Sequence, residues 1–435
     1  MCYAIPGKVI GFEGKLVKVE YFGEVKQAVN EFDDLELGDY IYAQGGYTIK
    51  KIPEAEALSI LATWKETFFE LQELDLRLSR LDLEKAGIDK KFALILDKAA
   101  EDLALKETDL LYLLNLEGEK ELKLLYKVAN FLRQKHLGNS CCVHGIIEFS
   151  NHCSQNCAYC GISTHNRDLR RYRMTKQQIA DAAYDAIETW GFKALVLQSG
   201  EDPAYSVADL AEIIQEIKQR SAVLIFISCG EVGLNGLEKL YQAGARGLLM
   251  RFETGNPKLY EKLHPDRSLA SRLAHLKKAF ELGYLLITGG LIGLPGQTRE
   301  DILKDILLTK ELRTEMYTFG PFLPHPNTPL ALTPPPSVKE VLKTLAVARL
   351  ADAKDGKIVV TTGFETLHPQ AREEGLVAGA NSVMLNVTPA EFSKNYLIYP
   401  KRAHSGERLK EQIDTTLKIL RDLGRAPTDL GVTHA

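Results

Sequence analysis

The chain has 435 residues, which at roughly 150 residues per domain suggests about three structural units or one large barrel with additions. Its 54 Lys and Arg residues against 58 Asp and Glu residues give a net charge of −4, which argues against a nucleic-acid partner. No apolar run approaches the roughly 20 residues that span a bilayer and the first residues lack a secretory signal, so we expect a cytoplasmic protein with no membrane partner.

The first 75 residues are typical of a small β-barrel followed by a helix. Short runs rich in β-branched and aromatic residues predict strands at 8–12, 16–21, 25–29 and 40–43. After Pro53 the apolar residues recur with helical spacing, and this pattern continues through several helices to about residue 136. We therefore predict a first domain at residues 1–75 and a helical connector with barrel-capping helices at residues 76–140.

Residues 141–400 alternate continuous apolar runs with amphipathic segments, a pattern typical of buried parallel strands joined by helices. The predicted strands lie at residues 145–149, 194–198, 223–228, 247–251, 285–292, 315–321, 358–362 and 382–386. Eight such units favour an α/β fold, a (β/α)8 TIM barrel, whose active-site residues gather at the carboxyl ends of the strands. A doubly wound open sheet is the alternative, but no Gly-rich phosphate fingerprint follows the first strand. Residues 401–435 are predicted to form a C-terminal helix and tail.

Three of the seven cysteines, Cys153, Cys157 and Cys160, follow the first predicted strand of the large barrel. Thiols crowded in this way indicate ligands for a soft metal or an iron–sulfur cluster rather than a disulfide framework. Three protein ligands leave one iron of such a cluster open to a small molecule. The alternative is structural zinc with His152 or His165 as fourth ligand, although only Cys157 and Cys160 have the spacing of a zinc knuckle.

The CxxxCxxC spacing, with the aromatic Tyr159 just before its last Cys on the first loop of a barrel, resembles the radical S-adenosylmethionine (SAM) superfamily. The resemblance implies one [4Fe-4S] cluster on the three cysteines, with SAM bound to the open iron. An electron from a reductant such as ferredoxin or flavodoxin would then cleave SAM to methionine and a 5′-deoxyadenosyl radical. The protein would orient the cofactors and keep water from the radical.

Further motifs narrow the resemblance, and they lie at residues 147–151, 171–175, 198–203, 251–254, 293–298 and 320–329. Together they closely resemble the family of HydE, the radical maturase of the [FeFe]-hydrogenase active site, over about residues 100–425. This resemblance implies a small-molecule or iron-complex substrate, maturation of an iron–cyanide–carbonyl metallocofactor, and other hydrogenase maturation proteins as partners. The alternatives are a radical enzyme of the methylornithine or biotin synthase type acting on an organic substrate, and a non-catalytic scaffold that carries iron.

The resemblance also assigns roles to single residues. Glu253 is similar to the acid that takes the amino group of SAM, and Arg272 to the guanidinium that holds its carboxylate, roles that suit charge-assisted hydrogen bonds and an Arg fork. Arg251, Thr361 and Thr362 resemble the lining of a pocket for small anionic ligands. The other residues expected to face this cavity or to contact the cofactors are Tyr159, Gln198, Ser199 and Met316.

Two departures from the family concern cysteines and the third strand. No cysteine follows Cys229, so only one cluster is expected. Where the family places a Thr and a Leu facing the pocket, this chain has Phe226 and Cys229, and the ordinary interpretation of Cys229 is a small buried thiol. Adjacent Cys141 and Cys142 cannot face the same way on an extended strand and are interpreted as buried thiols. His325 lies between two prolines and is a candidate ligand or base, with a rigid, solvent-facing loop residue as the simpler interpretation.

Residues 1–75 resemble the HypC/HupF family of hydrogenase-maturation chaperones through the signature MCYAIPGKV at residues 1–9. The resemblance implies that Cys2 is a ligand for an iron that carries cyanide and carbon monoxide, a task that suits a soft thiolate. Gln44 stands where these chaperones have a His, so a second contact stays open, and an idle Cys2 on a docking module is the alternative. The fusion leads us to expect that tethering concentrates the carried fragment at the barrel mouth.

Overall fold

The structure, a computed structural model, describes residues 5–82 and 87–430. Its first unit is a small closed barrel with the strand order β1–β2–β3–β5–β4. These strands are β1 Gly7–Glu13, β2 Leu16–Tyr21, β3 Glu24–Val29, β4 Tyr40–Gln44 and β5 Tyr47–Ile52. Alternating burial along β2 sends every second side chain into the interior. The sequence predictions include four of these strands and miss β5, although the Gly45-Gly46 pair that joins it to β4 is a hairpin signal.

The large barrel contains eight parallel strands, as the sequence predicts. The strands after the small barrel are β6 Ser140–Ser150, β7 Ala194–Ser199, β8 Leu224–Ser228, β9 Gly247–Leu249, β10 Leu285–Thr288, β11 Leu291–Ile292, β12 Met316–Tyr317, β13 Gly320–Pro321, β14 Lys357–Ile358, β15 Ser382–Asn386 and β16 Ala426–Pro427. They pair in the order β14–β12–β10–β9–β8–β7–β6–β15, and a parallel bridge between Val359 and Ser382 joins the two ends. The TIM-barrel prediction is confirmed, and the alternative of an open doubly wound sheet is wrong.

Helices connect the two barrels and surround the larger one. They are α1 Glu54–Leu78, α2 Lys90–Ala100, α3 Glu107–Leu114, α4 Glu119–Leu137, α5 Lys176–Tyr184 with a π-helical turn at Asp185–Thr189, α6 Val207–Arg220, α7 Leu234–Gln242, α8 Pro257–Leu263, α9 Leu269–Leu282, α10 Arg299–Glu311, α11 Val338–Ala351, α12 Thr362–Leu367, α13 Ala371–Val377, α14 Ala390–Ser393 and α15 Leu409–Asp422. Capping boxes at Thr175, Ser206, Thr298 and Ser337 begin four of them. None of the helices in the described ranges combines the length and the apolar character that crossing a lipid bilayer requires.

The small barrel closes the amino-terminal end of the large barrel, opposite the strand ends where the active site is expected. The hydroxyl of Tyr47 donates to the carbonyl of Gly283 at 2.7 Å, just before β10. Arg246, just before β9, pairs with Glu31 of the small barrel at 2.9 Å. The tether therefore does not place the small barrel at the mouth of the large barrel within one chain, because the packing holds it at the other end.

Apolar side chains from both barrels form one packed layer at this junction. Gly45 has a φ of +54° and lies so close to Leu285 and Leu224 that a Cβ there would come within 2.7 Å and 2.8 Å, respectively, of their methyl groups. Phe226 and Met316 belong to this layer and are each 1% exposed. The predictions that these two residues face the active-site cavity are therefore wrong, because their places in the strands direct them into the layer below it.

Asp75, near the end of α1, joins this helix to α4 and to the segment that precedes β16. Arg133 on α4 donates to both of its carboxylate oxygens, at 2.6 and 2.7 Å, and Arg425 Nε lies 3.1 Å from Oδ1. All three side chains are at most 1% exposed. Burial and the nearby charge of Arg133 lower the pKa of Arg425 to about 9. One buried carboxylate thus compensates two buried guanidinium groups.

We predict that Asp75→Ala lowers the free energy of unfolding by about 3–5 kcal/mol, because it leaves two buried cations without their counter-charge. Urea unfolding of the purified chain measures this change. Glu73→Ala, which truncates an exposed carboxylate on the same helix, is the control and should alter stability by no more than about 0.5 kcal/mol. Equal losses in the two variants would contradict the assignment.

Candidate active site

The loop that carries the three cysteines follows β6 and is held by main-chain bonds to other loops. The amide of Ser154 donates to the carbonyl of Glu201 at 2.9 Å, and that of Gly161 to Ile398 at 2.8 Å. Arg171 donates Nη1 to the carbonyl of Ile162 at 2.7 Å and Nη2 to that of Ser163 at 2.8 Å. Arg171, the first residue of the motif at residues 171–175, thus holds this loop in its conformation by bonding its main-chain carbonyls.

Burial and mutual repulsion raise the pKa of the thiols on this loop. Each of Cys153, Cys157 and Cys160 is partly buried. Burial, and then the nearby Cys160 and Cys153, raise the pKa of Cys157, and that of Cys160 rises to about 12. Cys157 Sγ lies 3.2 Å from Nδ1 of His264, whose pKa is lowered to about 3 by burial and then by Arg272. A neutral imidazole therefore lies beside the central thiol.

The spacing of these sulfurs argues against the zinc alternative. Among the residues that the structure describes, the three thiols do not belong to a group of ligands that all lie within 4.8 Å of one another. One tetrahedral ion with Zn–S bonds of about 2.3 Å requires closer sulfurs, whereas a four-iron cube spreads its ligands more widely. His165, one suggested fourth ligand, bonds the carbonyl of Asn156 at 2.9 Å.

A cavity of about 310 Å³ lies at the carboxyl ends of the strands, next to this loop. The sequence-predicted residues that line it are Tyr159, Cys160, Gln198, Ser199, Arg251, Glu253, Arg272, Thr361 and Thr362. Lining residues that the sequence analysis did not name include Ser228, Tyr396, Tyr399 and Arg402. The structure thus brings most of the predicted cavity residues to one cavity, whereas Met316 and Phe226 lie in the layer below it.

Glu253 offers a carboxylate oxygen to this cavity. Its backbone has a φ of +67°, an unusual conformation for a residue other than glycine, and it pairs with Gly290 beside β11. The Tyr159 hydroxyl donates to Oε1 at 3.2 Å. Oε2 is buried and has no hydrogen-bond partner among the described residues, although Arg251 Nη2 lies 3.2 Å away. Such a position suits an acceptor for a cationic ligand.

Arg272 is held in the cavity wall by a neighbouring carboxylate. Its Nε donates to Glu231 Oε1 at 2.9 Å, and its Nη1 donates to the carbonyl of Arg251 at 3.1 Å. Burial raises the pKa of Glu231, but hydrogen bonding from Ser271 and the charge of Arg272 outweigh it and lower the pKa overall. Glu231 is therefore ionised and fixes the direction of the guanidinium fork.

The structure also places the remaining residues from the sequence analysis. Cys229 is buried, with its Sγ 3.7 Å from the carbonyl of Leu197, and it lines a side pocket rather than the main cavity. Ser228 lines the main cavity in its place. His325 is half-buried, and its ring packs against Gly161. Cys2 lies outside the described residues.

A buried ion pair at the cavity was missed by the sequence analysis. Arg402 lines the cavity and donates Nη1 to Glu148 Oε2 at 3.1 Å, and Asn386 donates to the same oxygen at 2.9 Å. The indication in the sequence was Glu148, the single acidic residue of the buried strand β6. Its partner could not be identified from the sequence, because Arg402 lies far along the chain in a loop.

Asp305 on α10 anchors the loop that follows Glu253. The amide of Gly255 donates to Asp305 Oδ1 at 2.6 Å, and Gln297 Nε2 lies 3.5 Å from Oδ2. Burial raises the pKa of Asp305 from 3.8 to about 7, although the Gly255 hydrogen bond lowers it. This carboxylate is therefore partly protonated near neutral pH.

We predict that Asp305 makes the protein less stable as the pH rises from about 4 to about 7. Its folded-state pKa is above its ordinary value of 3.8, so the native state retains a proton that the unfolded chain loses across this range. Asp305→Asn should flatten the dependence in urea unfolding, while Asp305→Ala should flatten it and also lower stability through the lost Gly255 bond. An unchanged slope in Asp305→Asn would refute the assignment.

Known proteins share this sequence and architecture. A sequence profile of the Radical SAM superfamily matches residues 147–309, and a profile of the HupF/HypC family matches residues 1–64. The chain is 41% identical over 303 residues to the [FeFe] hydrogenase maturase subunit HydE of Thermotoga maritima, covering 70% of this chain and 86% of that protein. It is 29% identical over 334 residues to the 3-methylornithine synthase of Methanosarcina acetivorans, covering 76% and 93%. The crystal structure of methylornithine synthase (PylB) gives a TM-score of 0.67 at 27% identity, covering 77% of this chain and 97% of that one.

Proposed function

The chain belongs to the HydE family of radical SAM enzymes and carries a HupF/HypC-family domain at its N-terminus, and on this basis we propose that it cleaves SAM reductively. The products would be methionine and a 5′-deoxyadenosyl radical that acts on a small iron complex during maturation of an iron–cyanide–carbonyl cofactor. The observation that carries the proposal is one shared cavity. Cys160 of the thiol loop and the charged residues Glu253 and Arg272 line it together.

The donor set fits the proposed cofactors. Cys153, Cys157 and Cys160 would hold a [4Fe-4S] cluster, which when bound supplies the electron that breaks a C–S bond of SAM. In the absence of iron, burial keeps these thiols protonated, so cluster assembly requires the loss of their protons. Cys229 faces a separate side pocket and is not positioned as a fourth ligand from within this cavity. A reductant such as ferredoxin or flavodoxin would be the external partner.

Two charged residues would bind the amino-acid part of SAM. Glu253 Oε2 is buried without a hydrogen-bond partner among the described residues, and it would accept the ammonium group. Arg272, held by Glu231, would grip the carboxylate. The hydroxyl of Tyr159 keeps the Glu253 carboxylate in place through Oε1. These residues would orient SAM before the radical is formed.

The rest of the cavity suits a small anionic substrate. Arg251, Thr361 and Thr362 line it together with Glu253, and Gln198 and Ser199 add polar groups. Thr361 also accepts the amide of a residue in the first turn of α12, so its hydroxyl is fixed in direction. A guanidinium with neighbouring hydroxyls can hold a carboxylate or a cyanide-bearing iron complex. In this proposal the HupF/HypC-like domain carries the iron fragment on Cys2.

A radical enzyme for an organic amino acid is the second candidate. The 29% identity to 3-methylornithine synthase over 93% of that protein favours it, and the same Arg251 pocket would bind an organic carboxylate. The two candidates differ in whether turnover depends on an added iron–cyanide–carbonyl complex or on a small amino acid. The match of residues 1–64 to the HupF/HypC family favours the iron complex.

We predict that the anaerobically reconstituted protein, given SAM and dithionite, forms 5′-deoxyadenosine, and that Cys157→Ala abolishes it. The reason is that two thiols cannot hold the cluster at this loop. Chromatographic quantification of 5′-deoxyadenosine measures the product. Cys229→Ala, which removes a buried thiol from the neighbouring side pocket, is the matched control and should retain activity. If the wild-type protein with a full cluster forms no product, the proposed function is wrong.

We predict that Glu253→Gln raises the KM for SAM by about 5–10-fold, because it replaces a charge-assisted bond worth roughly 1.5–3 kcal/mol by a neutral one worth roughly 0.5–1.5 kcal/mol. Initial rates of 5′-deoxyadenosine formation at several SAM concentrations measure this effect. Glu300→Gln, an exposed acid at the start of α10, is the control and should leave KM unchanged. An unaltered KM in Glu253→Gln would remove this residue from the SAM site.

A further inference from the structure

A second group of possible metal ligands lies at the junction of the two barrels, far from the thiol loop in the fold. Cys142, His144 and Asp429 are buried, and each offers one ligand atom such that all three atoms lie within 4.8 Å of one another. Cys142 and His144 are two residues apart on β6, so their side chains share one face of the strand. Asp429 follows β16, which pairs with β6. The sheet register therefore assembles the group.

The group surrounds a small internal cavity that both barrels line. Its volume of about 10 Å³ is close to the space needed for a single water molecule or ion. Gln44 and Gly45 of the small barrel contribute to its lining, together with Met316 and Thr428. A ligand here would contact both domains at once.

The contacts of His144 show that the protein alone does not satisfy its imidazole. Nε2 lies 3.4 Å from Asp429 Oδ2, a long separation for a hydrogen bond. Nδ1 is buried and has no hydrogen-bond partner among the described residues. The side chain is 4% exposed and its ring packs against Phe226 at 5.1 Å, so bulk water does not supply the missing partner. An unsatisfied buried imidazole nitrogen is costly, and a metal ion is a common partner for one.

The charges around the group match a divalent cation. Lys357 pairs with Glu315 at the edge of the cavity, and its charge also acts on Asp429, so these three side chains together carry a net charge of −1. A divalent ion bound to the thiolate of Cys142 adds one net positive charge and makes the buried group neutral. One sulfur, one imidazole nitrogen and one carboxylate oxygen are ligands that suit Zn²⁺ or Fe²⁺.

We propose that Cys142, His144 and Asp429 form a binding site for one divalent, borderline-soft metal ion, Zn²⁺ or Fe²⁺, that fastens the small barrel to the large one. The ion would occupy the internal cavity, with its remaining position directed at the lining shared by the two barrels. This site is separate from the cluster site and does not depend on the proposed function.

Cobalt binding to the full-length chain tests the site. The test protein carries Cys2→Ala, Cys153→Ala, Cys157→Ala and Cys160→Ala, so that none of the cysteines of the cluster loop or the N-terminus can ligate the probe. Anaerobic titration with Co²⁺ should give about one bound ion per chain and a thiolate-to-cobalt charge-transfer absorption. Bound Co²⁺ should also raise the thermal midpoint, because it binds the native state alone.

Cys142→Ser in this background should remove the charge-transfer absorption and weaken binding by more than the roughly 10–100-fold that loss of an outer partner costs. Cys141→Ser is the matched control. This neighbouring thiol is also buried, but it packs in the main core of the large barrel rather than in the layer between the two barrels. It should retain the absorption and the thermal shift. If Cys142→Ser fails to fold, Asp429→Asn serves instead and should weaken binding. Absence of the absorption in the parent chain, or its persistence in Cys142→Ser, would overturn the proposal.

Discussion

The active site depends on how one loop with three thiols is held at the carboxyl ends of parallel strands. A loop of this kind has no regular structure of its own, so its main-chain groups must find partners elsewhere. Here Arg171 bonds several of its carbonyls, and the loops after other strands accept its amides. Cys160 of this loop consequently lines the same cavity as Glu253 and Arg272.

The two ends of the large barrel differ in their lining: the candidate active site lies at one end, and the contact with the small barrel lies at the other. The carboxyl end is an open polar cavity, whereas the amino end is filled by a packed layer that includes Phe226 and Met316. This layer blocks a direct path through the barrel from the small domain to the cavity. Any iron fragment carried by the small domain would therefore have to reach the cavity from outside the barrel, for example from another chain.

The sequence predicted the strands and the cavity residues well where the local pattern alone decides the outcome. Gln198, Glu253 and Thr361 were placed correctly because they lie at or just after the ends of predicted strands, and strand ends share one face of a TIM barrel. The predictions for Met316 and Phe226 were wrong because they require the height of each residue along the barrel axis. That height depends on the stagger between neighbouring strands. That stagger is a property of the assembled sheet.

The amino-acid sequence by itself determined the fold class, the position of the thiol loop and the polar residues at the strand ends. These features follow from short-range periodicity and spacing, which the chain carries locally. Only the tertiary structure decided which distant residues meet, such as Arg402 with Glu148 and Asp429 with His144. It also decided that the small barrel closes the end of the large barrel opposite the cavity. Such contacts join segments hundreds of residues apart, and their formation depends on packing and burial that no local pattern encodes.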